Sequence, residues 1–340
     1  MDANQVLVET IRGNWVENRH RGAIAVCDSA GNLVLAMGDV ARPVFPRSAI
    51  KSMQALALVT SGALQRFSLS DEELALACAS HHGEPGHIAG VERFLAHLGL
   101  SAGDLECGGH PPTNAAARDA LRRTGEQPSA LYNNCSGKHS GMLADALAMG
   151  VPTTGYIERD HPVQVAVRAA VETVIGTPLS TDRCGTDGCS IPTWAAPLTA
   201  FATGFARMAT GQGLPPDLAA GARRICDAAT AHPELVAGTG HLDTEVMQAF
   251  AGRLMQKGGA EGVQCGAIRD LGLGYALKID DGSMAASHVA VAALLLAVAR
   301  PSDAERAVLE RFARHPIRNV RGTLVGEMRA TEALSSPRSR

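Results

Sequence analysis

Lysine is nearly absent from this chain. Of its 31 basic residues only four are lysine, Lys51, Lys138, Lys257 and Lys278, and the rest are arginine. Such a composition uses arginine for plain positive charge and singles out the few lysines for chemistry that guanidinium cannot do. A desolvated ammonium can lose its proton and act as base, nucleophile or ligand. Excess charge is missing too: a net charge of -3 with no basic run leaves no electrostatic footprint for nucleic acid. The longest apolar run, Val289 to Ala299, is too short to span a bilayer. The opening "MDANQVLVETIRG" carries acidic residues and no apolar signal core, so the expected location is the cytoplasm, without membrane attachment. A phosphate loop, a dinucleotide fingerprint and a Gly-x-Ser-x-Gly elbow are all lacking.

What is present describes a globular enzyme. Hydrophobic residues make up 46% of the 340, charged residues 19%, and there are 36 glycines, within the range of folded soluble chains. The eight cysteines are scattered, a pattern of reduced thiols, and Cys27, Cys78 and Cys226 read as small buried apolar groups. Strand signals begin the chain: "RGAIAVCDSAGNLVLAMGD" is two apolar runs around an Asp28 to Asn32 turn. A helix is expected over "RSAIKSMQALALVTSG" with Gly62 as its stop. Another is expected after the Ser70 to Glu73 capping box. The pattern from Gly86 to Gly252 is mainly helical, with Asp160 as an expected cap and "IPTWAAPLTAFATGFARMATG" read as helix. Strands return in "CGAIRDLGLGYALKIDDGS", before the helix "ASHVAVAALLLAVAR". Strands at both ends around a helical middle imply one sheet completed by both termini, a helical lobe and a cleft between. The expected division is a sheet lobe from 1–47 and 257–330, a helical lobe from 48–256, and a disordered tail at 331–340.

Four groups of residues bear chemistry. Ser48 and Lys51 form a Ser-x-x-Lys pair at a helix start, where the amine can accept the hydroxyl proton and free N–H groups favour a developing oxyanion. Ser80 ends an apolar helix at "ASHHGEPGH". The histidines that follow do not make a zinc helix, because Gly83 and Pro85 break it. Lys257 in "KGGAEG" is either a helix-end cation or a lysine beside a close backbone approach to ligand. Cys135 and Cys189 can supply half of a tetrahedral zinc site, with His139 as the third ligand that residue chemistry first suggests. Cys135 as a nucleophile with His139 as base is the competing reading.

Taken together, "RSAIKS", "CASHHGEPGH", "CGGHPPTN", "NNCSGKHSGML", "DGCSIPTWAAPL" and "KGGAEG" resemble the rhizobial, thermolabile type of L-asparaginase over roughly residues 5 to 330. The resemblance implies an α/β fold of α+β type, similar to serine β-lactamases and penicillin-binding enzymes, with an antiparallel sheet from both chain ends. It implies a cytoplasmic homodimer that hydrolyses L-asparagine to L-aspartate and ammonia. Ser48 with Lys51 and Ser80 with Lys257 match the family's paired Ser–Lys units. Cys135, Lys138 and Cys189 match its zinc ligands, with water as the fourth. Arg47, His139 and Asp187 match its substrate and supporting groups. Gly258 stands where β-lactamase relatives carry a hydroxyl residue after the lysine. Other expectations are a related serine amidohydrolase acting on glutamine or peptidoglycan-type amides, and a non-catalytic zinc-stabilised binding module.

Overall fold

A computed structural model describes residues 4–335. Both chain ends contribute to one antiparallel sheet of eight strands, as the strand signals at the two termini imply. In chain order these are β1 (Val6–Arg12), β2 (Trp15–Cys27), β3 (Leu33–Met37), β4 (Leu254–Gly259), β5 (Val263–Ile268), β6 (Leu273–Ile279), β7 (Arg314–Arg318) and β8 (Leu324–Ala330). They pair in the order β7-β8-β1-β2-β6-β5-β4, and β3 also pairs with β2. The long β2 makes this possible. Its first half pairs with β1, with Arg12 opposite Trp15, and its second half with β6, with Ile279 opposite Gly22. The Asp28 turn closes the β2–β3 hairpin, its carboxylate accepting the Ala30 and Asn32 N–H groups at 2.9 Å each.

The chain divides into two compact units. The first holds the residues up to Ile50, Ala196–Thr210 and those from Glu245 onward. Within it the helices Leu198–Thr210 and Met284–Val298 pack on the sheet, and every residue of β4 and β5 is buried. Such strands cannot leave polar groups unpaired. Gln256 Nε2 donates to Gln264 Oε1 at 2.6 Å, Gln264 Nε2 to Ser287 Oγ at 2.9 Å, and Tyr275 Oη to Gln256 Oε1 at 2.5 Å. The second unit, Lys51–Ala195 and Gly211–Thr244, is mainly helical. Its Asp71–Ala77 helix opens on the expected capping box, Ser70 N donating to Glu73 Oε2 at 2.7 Å.

The structure departs from the sequence reading at prolines and at tight turns. The single helix expected after Pro46 is broken into a 3-10 turn, Arg47–Ile50, and two short helices, Lys51–Gln54 and Ala57–Thr60. Arg47 itself has φ 51°, left-handed backbone that a non-glycine residue adopts only when its surroundings impose it. Asp160 is not the cap of the next helix. Pro162 sets the first helical position, His161 Nδ1 accepts the Val163 N–H at 3.2 Å, and Asp160 pairs instead with Arg159. Pro192–Trp194 and Ala196–Pro197 are extended, and the helix starts only after Pro197. That helix lies with the sheet unit. At the C-terminus Glu332–Ser335 form a last helical turn, and residues 336–340 of the expected tail lie outside the described residues.

Candidate active site

The second unit gathers seven of the ten predicted site residues around two helix ends and a hairpin tip. The Asp71–Ala77 helix ends just before Ser80. The Ser136–Met149 helix begins just after Cys135. What allows these ends to meet is Gly137: a Cβ there would lie 2.3 Å from the Leu76 carbonyl oxygen. The loops are then tied directly. His81 N–H donates to Asn134 O at 3.1 Å, and Ser80 N–H to Val236 O at 2.8 Å. Asn133 bridges the Cys107 and Gly108 carbonyls with its amide and accepts the Cys135 N–H at 2.8 Å.

Lys51 is buried at the centre of this arrangement. Its Nζ contacts Ala79 O at 2.5 Å, Ser80 Oγ at 2.9 Å and Cys135 Sγ at 3.1 Å. The carbonyl and the sulfur accept two amine hydrogens. The third direction faces the serine, which can receive a hydrogen from the ammonium or give its own to the free amine. Ser80 is half-buried and stands at the start of a loop.

Cys189 arrives from a separate hairpin. Cys184–Thr186 pairs with Pro192–Trp194, and the reversal between them is closed by Ser190 N–H to Asp187 O at 2.9 Å, with Ser190 at φ 77°. The tip brings Cys189 Sγ within 2.9 Å of Lys138 Nζ. Charge is shared among these groups. A hydrogen bond from Cys189 holds the Cys135 thiol well below its usual range; burial opposes this, and Lys138 and Lys51 assist it. Cys189 keeps the shared proton and is pushed up by that same bond and by burial. Burial works against the Lys138 charge, but Cys135 and Cys189 outweigh it and raise the ammonium above its ordinary range.

A zinc ion fits this donor set in kind. Thiolates are strong zinc ligands, and an amine serves once deprotonated. In a tetrahedral centre with ordinary bond lengths a nitrogen and a sulfur ligand lie about 3.5 Å apart, against 2.9 Å between Lys138 and Cys189. Among the described residues no cluster of three His, Cys, Asp or Glu side chains is placed to hold a metal. This set contains two such residues, and the third donor is lysine.

His139, one residue on, is fully buried. Burial, with Lys138 and Lys51 nearby, pushes its pKa well down, so the ring is neutral. Its Nδ1 lies 2.7 Å from Tyr156 Oη. Asp187 sits in the Cys189 hairpin, one carboxylate oxygen accepting the Gly188 N–H at 2.8 Å. The histidines after Ser80 serve the scaffold. His81 Nε2 lies 2.8 Å from Ser136 Oγ and the ring stacks on His87 at 5.0 Å, while Glu84 takes three hydrogen bonds from Thr239 and Asn114.

Arg47, Ser48 and Lys257 belong to the first unit. Lys257 is in the middle of buried β4, not at a helix end, and its Nζ donates to Gly258 O at 2.7 Å. The Arg47–Ile50 turn packs against this strand at Gly259, where a Cβ would lie 2.8 Å from Pro46 O. Among the described residues of its unit the Ser48 hydroxyl has no hydrogen-bond partner. The sequence pairing of Ser48 with Lys51 is thus joined by one that spacing did not reveal, Lys51 with Ser80. Tyr156, Asn133 and Asn134 are further residues of the cluster that spacing does not single out. The paired asparagines beside Cys135 were a visible turn signal; the one signal for Tyr156 is that the chain has just three tyrosines.

Solved structures similar to the chain include a β-lactamase and a D-alanine carboxypeptidase. A β-lactamase from Mycobacterium bovis is 15% identical over 77% of this chain and 88% of that one, with a TM-score of 0.40. The D-alanine carboxypeptidase AmpC from Burkholderia cenocepacia is 11% identical over 86% of this chain and 92% of that one, at 0.37. Mglu in its native form is 17% identical over 83% of this chain and 63% of that one, at 0.45. Curated protein sequences give no match. The family described as L-asparaginase II matches residues 8–330, a span that includes both helix ends, the Cys189 hairpin, the Arg47 turn and β4. The chain belongs to the L-asparaginase II family.

Proposed function

We propose that this amidohydrolase cleaves the side-chain amide of L-asparagine, giving L-aspartate and ammonia through an acyl-enzyme on serine. Family membership supports amide hydrolysis, and the 2.9 Å approach of Lys51 Nζ to Ser80 Oγ is the observation that carries the chemistry. Ser80 Oγ attacks the amide carbon while its proton passes to the neutral Lys51 amine. Collapse of the tetrahedral adduct breaks the C–N bond, and that proton leaves with ammonia; water then cleaves the aspartyl ester. Ser48 is the other candidate nucleophile, with Lys51 as its base; Ser80 with Lys257 would then relay the proton to the departing ammonia. Arg47 receives the substrate α-carboxylate, and Asp187 its amino group.

Cys135, Lys138 and Cys189 would hold zinc, with water completing four ligands. Bound there, the metal supplies a fixed positive charge that can polarise or position the substrate. The homodimer and the cytoplasmic location implied by the resemblance belong to the same proposal. Light scattering on the purified protein tests the first of these.

The deciding experiment measures ammonia release from L-asparagine and L-glutamine side by side, with mass spectrometry of enzyme quenched during turnover. An aspartyl adduct on Ser80 supports the reading, and one on Ser48 reassigns the nucleophile. The lowered thiol of Cys135 favours one rival, a cysteine nucleophile, and an adduct on Cys135 would establish it. Binding of asparagine with zinc present and no ammonia released would leave a non-catalytic module.

A further inference from the structure

Hydrogen-bond accounting around Tyr156 assigns the proton on His139. Tyr156 is fully buried. Its Oη accepts the Glu106 backbone N–H at 3.0 Å and lies 2.7 Å from His139 Nδ1. A phenol has one hydrogen to give, and among the described residues His139 Nδ1 is its one acceptor. Were the hydrogen of the ring on Nδ1, two donors would face the phenolic oxygen and its own O–H would be buried without a partner. Buried polar groups in folded proteins avoid that state. The phenol therefore donates to Nδ1, and the hydrogen of the neutral ring sits on Nε2.

The phenol cannot swing away from this duty. Glu106 Oε1 accepts the Gly155 N–H at 2.8 Å, and Tyr156 O accepts Gln164 Nε2 at 2.8 Å, so both sides of the residue are tied. His139 Nε2, in contrast, is buried and among the described residues has no hydrogen-bond partner. A buried N–H donor left unpaired on the first turns of the helix that follows Cys135 and carries Lys138 calls for an acceptor from a bound molecule. A protonated Nε2 also has no lone pair for a metal, which separates His139 from the donor set of Cys135, Lys138 and Cys189.

We infer that Tyr156 is a positioning residue that holds His139 as an Nε2–H donor, ready for an acceptor oxygen of the bound substrate. The carbonyl or carboxylate oxygen of an amino-acid amide is such an acceptor; in this part the inference rests on the proposed amidohydrolase reading. The tautomer itself stands apart from activity.

Two measurements on the full chain test it. Long-range proton–nitrogen correlation spectra of histidine-labelled protein, with His139 assigned by His139→Gln, should show the Nε2–H tautomer in the wild type and a shift toward Nδ1–H in Tyr156→Phe. An Nδ1–H tautomer in the wild type overturns the inference, whatever the protein hydrolyses and whether or not the variant folds. A double-mutant cycle supplies the second readout. Tyr156→Phe should lower kcat/KM for L-asparagine at least tenfold in the wild type and less than twofold in His139→Asn, because the phenol acts through the imidazole. Equal losses in both backgrounds would make Tyr156 a scaffold residue and sink the assignment. A protein with the Nε2–H tautomer that releases no ammonia refutes the functional reading alone.

Discussion

Gly137→Ala isolates the contact on which the Lys51, Ser80 and Cys135 cluster depends. The added methyl would lie 2.3 Å from Leu76 O and 2.8 Å from Leu76 C, both backbone atoms that cannot rotate away. Ordinary contact begins near 3.4 Å, so the two helix ends must part by about 1 Å. Overpacking of this kind costs about 1–3 kcal/mol in folding stability. A functional cost follows from the same shift. Ser80 follows the Asp71–Ala77 helix and Cys135 precedes the Ser136–Met149 helix, while Lys51 bridges the two at 2.9 and 3.1 Å. A displacement of about 1 Å in a positioned catalytic group lowers turnover on the order of 100-fold. Ammonia release and urea unfolding of the two proteins measure both effects. A variant with kcat within twofold of wild type and unchanged unfolding midpoint would show that this glycine does not set the site, and the reasoning from close approach would fail.

Three further outcomes follow from the same geometry. Lys51→Arg should abolish turnover without unfolding the protein, because guanidinium cannot take the serine proton; near wild-type ammonia release would show that positive charge alone suffices. Lys138→Arg should lose bound zinc, while His139→Gln keeps it near one per chain and loses activity. Metal analysis of the purified variants decides this, and the reverse pattern would make His139 the ligand. Asp145 is buried with one hydrogen bond, from Ser61 Oγ at 2.6 Å, and burial raises its pKa from 3.8 to about 7. Its folded-state pKa exceeds the unfolded one, so the folded chain binds the extra proton and stability falls as pH rises from about 4 to about 7. Asp145→Asn should remove that loss, stabilising the protein at pH 8 by up to about 4 kcal/mol and changing little at pH 4. Urea titrations at the two pH values check it, and an equal change at both would refute a pH-linked origin.

Elements with a local cause are legible from residue order alone. Alternating apolar runs around Asp28 define the β2–β3 hairpin, and Ser70 with Glu73 defines a helix start, because a turn or cap involves neighbours a few residues apart. Strands at both ends implied a shared sheet, since strands need partners and the middle of the chain offered helices. The rarity of lysine marked Lys51, Lys138 and Lys257, each of which is buried. Local rules failed where proline or packing overrode periodicity, as in the broken turns after Arg47 and the extended segment from Pro192 to Pro197. Which groups meet depends on packing between distant segments. Lys51 reaches Ser80 across 29 positions and Cys135 across 84, and Lys138 reaches Cys189 across 51. No spacing rule encodes such distances, because they depend on how closely two helix backbones and one hairpin tip approach. Close approach at Gly137 and the Ser190 turn set those distances here. The proton on His139 is the most tertiary property of all, since it follows from a phenol 17 residues away with a single hydrogen and a single acceptor.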